Sequence, residues 1–302
     1  METALNNDLI NDAQALLGGR VDASGTTRRV ALKAALGVGY AAAAAPIMAQ
    51  TAIKTPTTGL IAGEVTIDVK GFKMPAYRAA PAGKTGLPVV LVISEIFGVH
   101  EYIADTTHRL AQAGYMAIAP ELFVRQGDPN EFGELAKLQS ELIAKVPDEQ
   151  VMGDLDAAAA WAAVNGGHAD KLAITGFCWG GRITWLYAAH QARLKAGVAW
   201  YGRLVGNTTP QTPRHPLALA GSLKAPVLGL YGGADTGIPL DTVDKMKIEL
   251  AKGPAAAKAS EFVVYPDAPH AFHADYRSSY RKPAADDGWQ RMLAWFKRHG
   301  VA

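Results

Sequence analysis

A single cysteine, Cys178, occurs in 302 residues. No internal disulfide can form, and no cysteine pair has the spacing of a structural zinc site. A basic tract is missing too: 30 Lys and Arg stand against 28 Asp and Glu, for a net charge of +2. An electrostatic footprint for nucleic acid is therefore excluded. Nothing in the chain approaches the ~20 consecutive apolar residues of a membrane-spanning helix, and no segment repeats. What remains is 49% hydrophobic and 19% charged. That is enough apolar surface to offset ordering entropy, so the bulk of the chain is not disordered.

The first fifty residues read as an address. Thr27-Arg28-Arg29-Val30-Ala31-Leu32-Lys33 opens a small, apolar run to Ala45, followed by Pro46-Ile47-Met48-Ala49. Paired arginines ahead of a short Ala/Gly-rich stretch resemble a twin-arginine export signal, with Ala31 at the usual phenylalanine position. The expected organisation is an export signal over 1–49, a linker over 50–62 and one domain over 63–302. The precursor's expected partner is the twin-arginine (Tat) export machinery. The expected location is the periplasm, with no stable membrane span in the mature protein.

Residues 64–69 alternate as a strand, and 76–79 are expected to pair with them. Residues 88–93 are a continuous apolar run, the pattern of a strand covered on both faces. Helical spacing at 103–113 leads to a strand at 115–119. Helices are expected at 131–145 and 148–164, a strand at 171–175 and a helix at 179–189. Strands follow at 196–200, 227–231 and 261–265, with helices at 242–251 and 289–298. This alternation predicts an α/β fold with a mainly parallel central sheet and helices on both faces.

Gly176-Phe177-Cys178-Trp179-Gly180-Gly181 lies between a strand and a helix. It fits Gly-x-nucleophile-x-Gly, with cysteine where serine usually stands. The chemistry needs a sharp turn, and small residues two before and two after the nucleophile avoid clashes within it. The following helix aims its positive end at Cys178, which favours a thiolate. A lone cysteine is otherwise a small buried hydrophobe; the strand–turn–helix setting is what argues for a nucleophile. Chain order then predicts an acid and a histidine. Asp235 follows the strand ending at Tyr231-Gly232-Gly233, where the alternative is a turn or a cap. Neighbouring Asp241 reads as the cap of the next helix. His270 follows the last strand. It would accept the thiol proton while Asp235 fixes its tautomer. His273 is a rival base. His270, His273 and Asp275 match no strong metal motif, so no metal is expected.

These segments, with Ser94-Glu95-Ile96-Phe97-Gly98, Ala119-Pro120-Glu121-Leu122-Phe123, Arg125-Gln126-Gly127 and His270-Ala271-Phe272, resemble the dienelactone hydrolase family over roughly residues 64–296. The resemblance implies a single α/β-hydrolase domain, no cofactor, and opening of an enol lactone that carries a carboxylate. It makes Cys178, His270 and Asp235 the catalytic triad. Glu95 matches a family glutamate that contacts the resting thiol, and an anionic substrate would redirect it. Ile96 and Trp179 would supply the oxyanion N–H groups. Arg125 matches an arginine that grips the substrate carboxylate. A second such arginine is expected four residues after the histidine, where Ala274 stands; Arg277 and Arg281 are the neighbouring arginines that would substitute. The expected ligand is a small-molecule ester or lactone. The alternatives are a broader periplasmic carboxylesterase or thioesterase, and a non-catalytic binding protein on a hydrolase scaffold.

Overall fold

The computed structural model describes residues 52–302. The expected export signal and its cleavage site lie outside the described residues. One sheet forms the frame: β1 (Leu60–Val69), β2 (Phe72–Pro81), β3 (Leu87–Ile93), β4 (Met116–Pro120), β5 (Gly167–Phe177), β6 (Leu194–Trp200), β7 (Val227–Gly232) and β8 (Glu261–Tyr265). Their order across the sheet is β1-β2-β4-β3-β5-β6-β7-β8. From β4 to β8 every pairing is parallel, whereas β1–β2 and β2–β4 are antiparallel. Around this sheet pack α1 (Glu101–Gln112), α2 (Asp148–Val164), α3 (Trp179–His190), α4 (Leu240–Lys252) and α5 (Lys282–Arg298). The crossover helices leave β4 and β7 without an exposed residue. That is why these strands read as unbroken apolar runs instead of alternating ones. The architecture is the mainly parallel α/β-hydrolase fold expected from the sequence.

Strand order places the site. From β3 the chain crosses to β4 on one side, and β5 lies on the other. Connections leaving the carboxyl ends of β3 and β5 therefore diverge and open a crevice between them. Glu95 leaves β3 at this point and Cys178 leaves β5.

Four expectations need adjustment. The continuous helix expected over 131–145 is instead a chain of short pieces: a 3₁₀ turn at Pro129–Glu131, an α-turn at Leu135–Lys137, a π-turn at Leu138–Leu142 and a 3₁₀ turn at Ile143–Lys145. Leu135, Leu138 and Leu142 are its buried anchors. The Ser140 hydroxyl donates back to the Ala136 carbonyl at 2.9 Å, a bond that bends helices. Asp241 does not cap α4, because Pro239 holds that position. It sits in the first turn instead, paired with Lys245 at 2.8 Å, where its charge suits the helix dipole. Helix α5 starts at Lys282 rather than 289, with Pro283 in its first turn. Finally, β1 begins at Leu60, inside the segment expected to be linker.

Candidate active site

Cys178 occupies the turn between β5 and α3 with φ 54° and ψ −110°. A non-glycine residue there is strained, at a cost of about 1–3 kcal/mol. Contacts on every side hold it. Its N–H donates to the Trp200 carbonyl at 3.0 Å, and its carbonyl accepts from Arg182 N–H at 3.1 Å. The flanking glycines are required by close approach: a Cβ on Gly176 would lie 2.2 Å from the Gly180 carbonyl oxygen, and one on Gly180 would lie 2.3 Å from that of Ile93. Below the turn, Trp200 stacks on Phe177 and bonds Thr175 Oγ1 through its indole N–H at 3.0 Å. Tyr201 and Ala271 also have positive φ, of 39° and 59°. Three of the four non-glycine residues with positive φ among the described residues thus gather in one place.

His270 is brought to this turn by the loop after β8. Its Nδ1 bonds Asp235 Oδ2 at 2.7 Å. The other carboxylate oxygen, Oδ1, accepts from the N–H groups of Gly237 and Ile238 at 2.8 and 3.2 Å. With both oxygens engaged and the residue buried, Asp235 is fixed as an acceptor, so Nδ1 must carry the proton. Nε2 is buried without a hydrogen bond of ordinary geometry. Desolvation pulls the imidazole pKa down, but the charges of neighbouring Cys178 and Asp235 outweigh it and push it up to about 10. The imidazole is therefore held toward its protonated form. The edge of the Tyr201 ring packs on it, with centroids 5.1 Å apart.

Cys178 and His270 open onto a cleft of about 330 Å³, lined by Glu95, Ile96, Phe97, Trp179, Tyr201 and Ile238 among others. Ile96 and Trp179, the two expected oxyanion donors, both reach it, and Trp179 is the first residue of α3. The broken helical segment supplies Leu135, Gln139, Ile143 and Ala144 to the same wall. Trp200 is part of the core instead.

Two residues are placed differently from expectation. Glu95 lines the cleft, but its Oε1 bonds His100 Nε2 at 3.0 Å and accepts from the Tyr276 hydroxyl at 2.7 Å. Its Oε2 is buried with no hydrogen-bond partner, so no hydrogen bond joins it to the thiol. Burial raises its pKa, but His100, Arg277 and Tyr276 more than offset this and hold it at about 2. Glu95 is therefore a fixed anion beside the nucleophile. Arg125, expected to grip a substrate carboxylate, is instead committed to Asp154 of α2. Its two terminal nitrogens reach the two oxygens of Asp154 at 2.5 and 2.8 Å, and its guanidinium lies 4.1 Å over the Phe72 ring. It does not line the cleft. The physical reason is Asp154, a carboxylate 1% exposed that needs a bidentate counter-ion. Of the two proposed substitutes, Arg277 lines the cleft, whereas exposed Arg281 turns to the Ser278 and Tyr280 carbonyls. Arg203 at the rim and the side chains of Tyr276 and His100 were not singled out in the sequence. Single aromatic and basic residues in loops carry no motif, so nothing local marks them.

The rival histidine, His273, is 2% exposed, and its Nδ1 is 2.5 Å from the Tyr102 hydroxyl. Burial, then nearby Arg109, lower its pKa to about 3. It is therefore neutral in the fold but takes up a proton below its ordinary 6.5 when unfolded. More protons on the unfolded chain mean stability is lost as pH falls from 6.5 toward 3. Glu95 adds the same sign only below its ordinary 4.5. Between pH 6.5 and 4.5 melting temperature is thus expected to fall, with His273, the most strongly shifted, contributing alongside His108 and His299, which burial also lowers. The fall should be shallower in His273→Gln, as checked by thermal melts at pH 6.5, 5.5 and 4.5; an unchanged slope would refute the assignment.

Comparisons with known proteins match the chain to one family. The model of the "Dienelactone hydrolase family" matches residues 74–300. A Methylorubrum extorquens protein named "Putative carboxymethylenebutenolidase" is 56% identical over 278 residues, spanning 91% of this chain and 94% of its own. One of the same name from Salmonella typhimurium is 57% identical over 263 residues, with 87% and 96% covered. The crystal structure titled "Putative Dienelactone Hydrolase" from Klebsiella pneumoniae superposes with a TM-score of 0.77 at 59% identity. That alignment covers 79% of this chain and 98% of the other.

Proposed function

The chain belongs to the dienelactone hydrolase family and is a carboxymethylenebutenolidase-like hydrolase, and we propose that it opens lactones or activated esters through a Cys178–His270–Asp235 triad, on substrates that carry a carboxylate. The observation that carries the triad is the 2.7 Å Nδ1–Asp235 bond on an imidazole whose other nitrogen is buried beside the strained Cys178. An imidazolium there supports a thiolate. The thiolate attacks the carbonyl carbon, a C–S bond forms, and the oxyanion meets the N–H groups of Ile96 and Trp179. As the intermediate collapses, the C–O bond breaks and the leaving oxygen takes the proton from His270 Nε2. Water then gives a proton to His270 and attacks the thioester. The acid departs, and the thiolate–imidazolium pair is restored.

A sulfur nucleophile favours substrates whose leaving oxygen is less basic than a simple alkoxide. Otherwise the intermediate expels the thiolate and returns to substrate. Enol lactones meet that condition. For the carboxylate, the supporting residues are Arg277 and Arg203, both on the cleft; Arg277 is also engaged there, its Nε donating to the Tyr276 hydroxyl at 3.0 Å and its charge acting on Glu95. Arg182 also borders the cleft, but Asp148 holds its two terminal nitrogens at 2.7 Å each, and the Arg214 carbonyl and His215 take further bonds. The test is a matched panel of enol lactones with and without a carboxylate. The anionic member is expected to have the higher kcat/KM, by about 10-fold or more from one charged contact. Arg277→Gln should erase most of that preference with little effect on the neutral member. Equal turnover of both by the unaltered protein would sink the carboxylate reading while leaving the triad standing.

A further inference from the structure

The segment that follows His270 is a succession of tight turns. Ala274 N–H bonds the Ala271 carbonyl, Arg277 N–H that of Ala274, and Tyr280 N–H that of Arg277, all at 3.0 to 3.1 Å. Bonds so local shape the segment without fixing where it stands relative to the sheet. Ala271, directly after His270, adds a conformation at φ 59° that costs energy and must be held.

Side chains at α1 share in the holding, beside the Tyr276–Glu95 bond and the packing of Phe272 and His273 on Trp200. His273 bonds Tyr102, and Asp275 accepts from Arg109 Nη2, across 171 and 166 residues of sequence. Arg109 Nε also donates to Asp105 Oδ2 at 2.6 Å. Asp105 in turn accepts from Thr55, through its N–H at 2.5 Å and its hydroxyl at 3.1 Å. Gln112, at the end of α1, donates to the Pro56 carbonyl at 2.9 Å. The stretch ahead of β1 is thus laid across the same cluster.

Stability is a weak reason for such a cluster. Asp275 is 1% exposed and Asp105 5%, so two buried carboxylates share one guanidinium. Burial raises the Asp275 pKa against the pull of Arg109. Buried ion pairs of this kind are often no more stabilising than apolar packing. What the cluster supplies is a fixed geometry between α1 and the histidine loop. We infer that Arg109, joined to Asp105 and Asp275, is a positioning residue for His270, and that the segment at Thr55–Pro56 is a strap that closes this support. The inference rests on His270 being the base.

The test measures kcat, KM, the pH dependence of Cys178 alkylation by iodoacetamide, and thermal melting in Asp275→Asn, Arg109→Met, Arg109→Lys and Thr55→Val. Misplacing a catalytic group by about 1 Å costs up to ~100-fold. Asp275→Asn and Arg109→Met are therefore expected to lower kcat by about 10- to 100-fold, with KM within about twofold, and to move the alkylation midpoint. Arg109→Lys should recover part of kcat, and Thr55→Val should lose a few-fold. Thr55→Val and Asp275→Asn keep the volume of the cluster, so they carry the test if Arg109→Met does not fold. Melting temperatures that fall while kcat and the alkylation midpoint stay put would reduce the cluster to a structural role and overturn the inference. His270→Ala separates the two layers: if it retains hydrolysis, the base assignment fails. If it abolishes hydrolysis while Asp275→Asn and Thr55→Val keep full kcat, the positioning role alone fails.

Discussion

Replacing Cys178 with alanine is expected to reduce lactone hydrolysis by about 10⁵- to 10⁶-fold, the scale on which a triad fails when its nucleophile is removed. The fold should survive. Cys178 is half-buried, its backbone bonds to Trp200 and Arg182 do not involve the sulfur, and alanine adds no atom to the turn. Melting temperature is therefore expected to stay within a few degrees, which separates lost chemistry from lost structure. The substitution also removes the negative charge that helps raise the His270 pKa, so the imidazole should titrate lower. Nuclear magnetic resonance of the ring in wild type and variant checks that directly. Residual hydrolysis near the wild-type rate would remove cysteine from the mechanism. The serine variant sharpens the point. Its hydroxyl is far less acidic than a thiol and does not pair with the imidazole as an anion, so it should fall well short of the cysteine enzyme.

What the sequence revealed about this site follows from how local each signal is. The elbow was legible because its residues fall within six positions of sequence, although the approaches that demand its glycines come from Gly180 for Gly176, from Ile93 for Gly180 and from Trp200 for Gly181. Asp235 and His270 were legible because the fold delivers them in chain order from the ends of β7 and β8. Arg125 shows where such reading stops. A guanidinium serves a substrate carboxylate and a buried aspartate with the same fork, and only the packing of α2 puts Asp154 within reach. Glu95 is the same case. Its partners stand 5 and 181 residues away, and neither separation has a pattern. The segment over 131–145 has helical apolar spacing, but it is broken where Ser140 bonds back to Ala136 and where Leu135, Gln139, Ile143 and Ala144 line the cleft. The type of element was therefore closer to hand than its regularity.

The second large effect is expected at Asp235, and it discriminates a precise role from a general one. Asparagine matches aspartate in shape. The N–H groups of Gly237 and Ile238, at 2.8 and 3.2 Å from Oδ1, demand an acceptor and will orient the amide oxygen toward themselves. The amide NH₂ then faces His270 Nδ1, at the place where Oδ2 now sits 2.7 Å away. A donor there forces Nδ1 to accept, so the proton moves to Nε2, and neutral His270 is left unable to take a proton from thiol or water. The anion that supports the imidazolium is lost in the same change. Asp235→Asn should therefore lower kcat by about 10³- to 10⁴-fold, as this substitution does in other triads, with KM little altered. Because Asp235 helps to raise the imidazole's affinity for a proton, Cys178 should also alkylate more slowly at a given pH. Asp235→Asn with near-normal kcat would mean that the carboxylate only braces the loop through Gly237 and Ile238, and that His270 finds its tautomer without it.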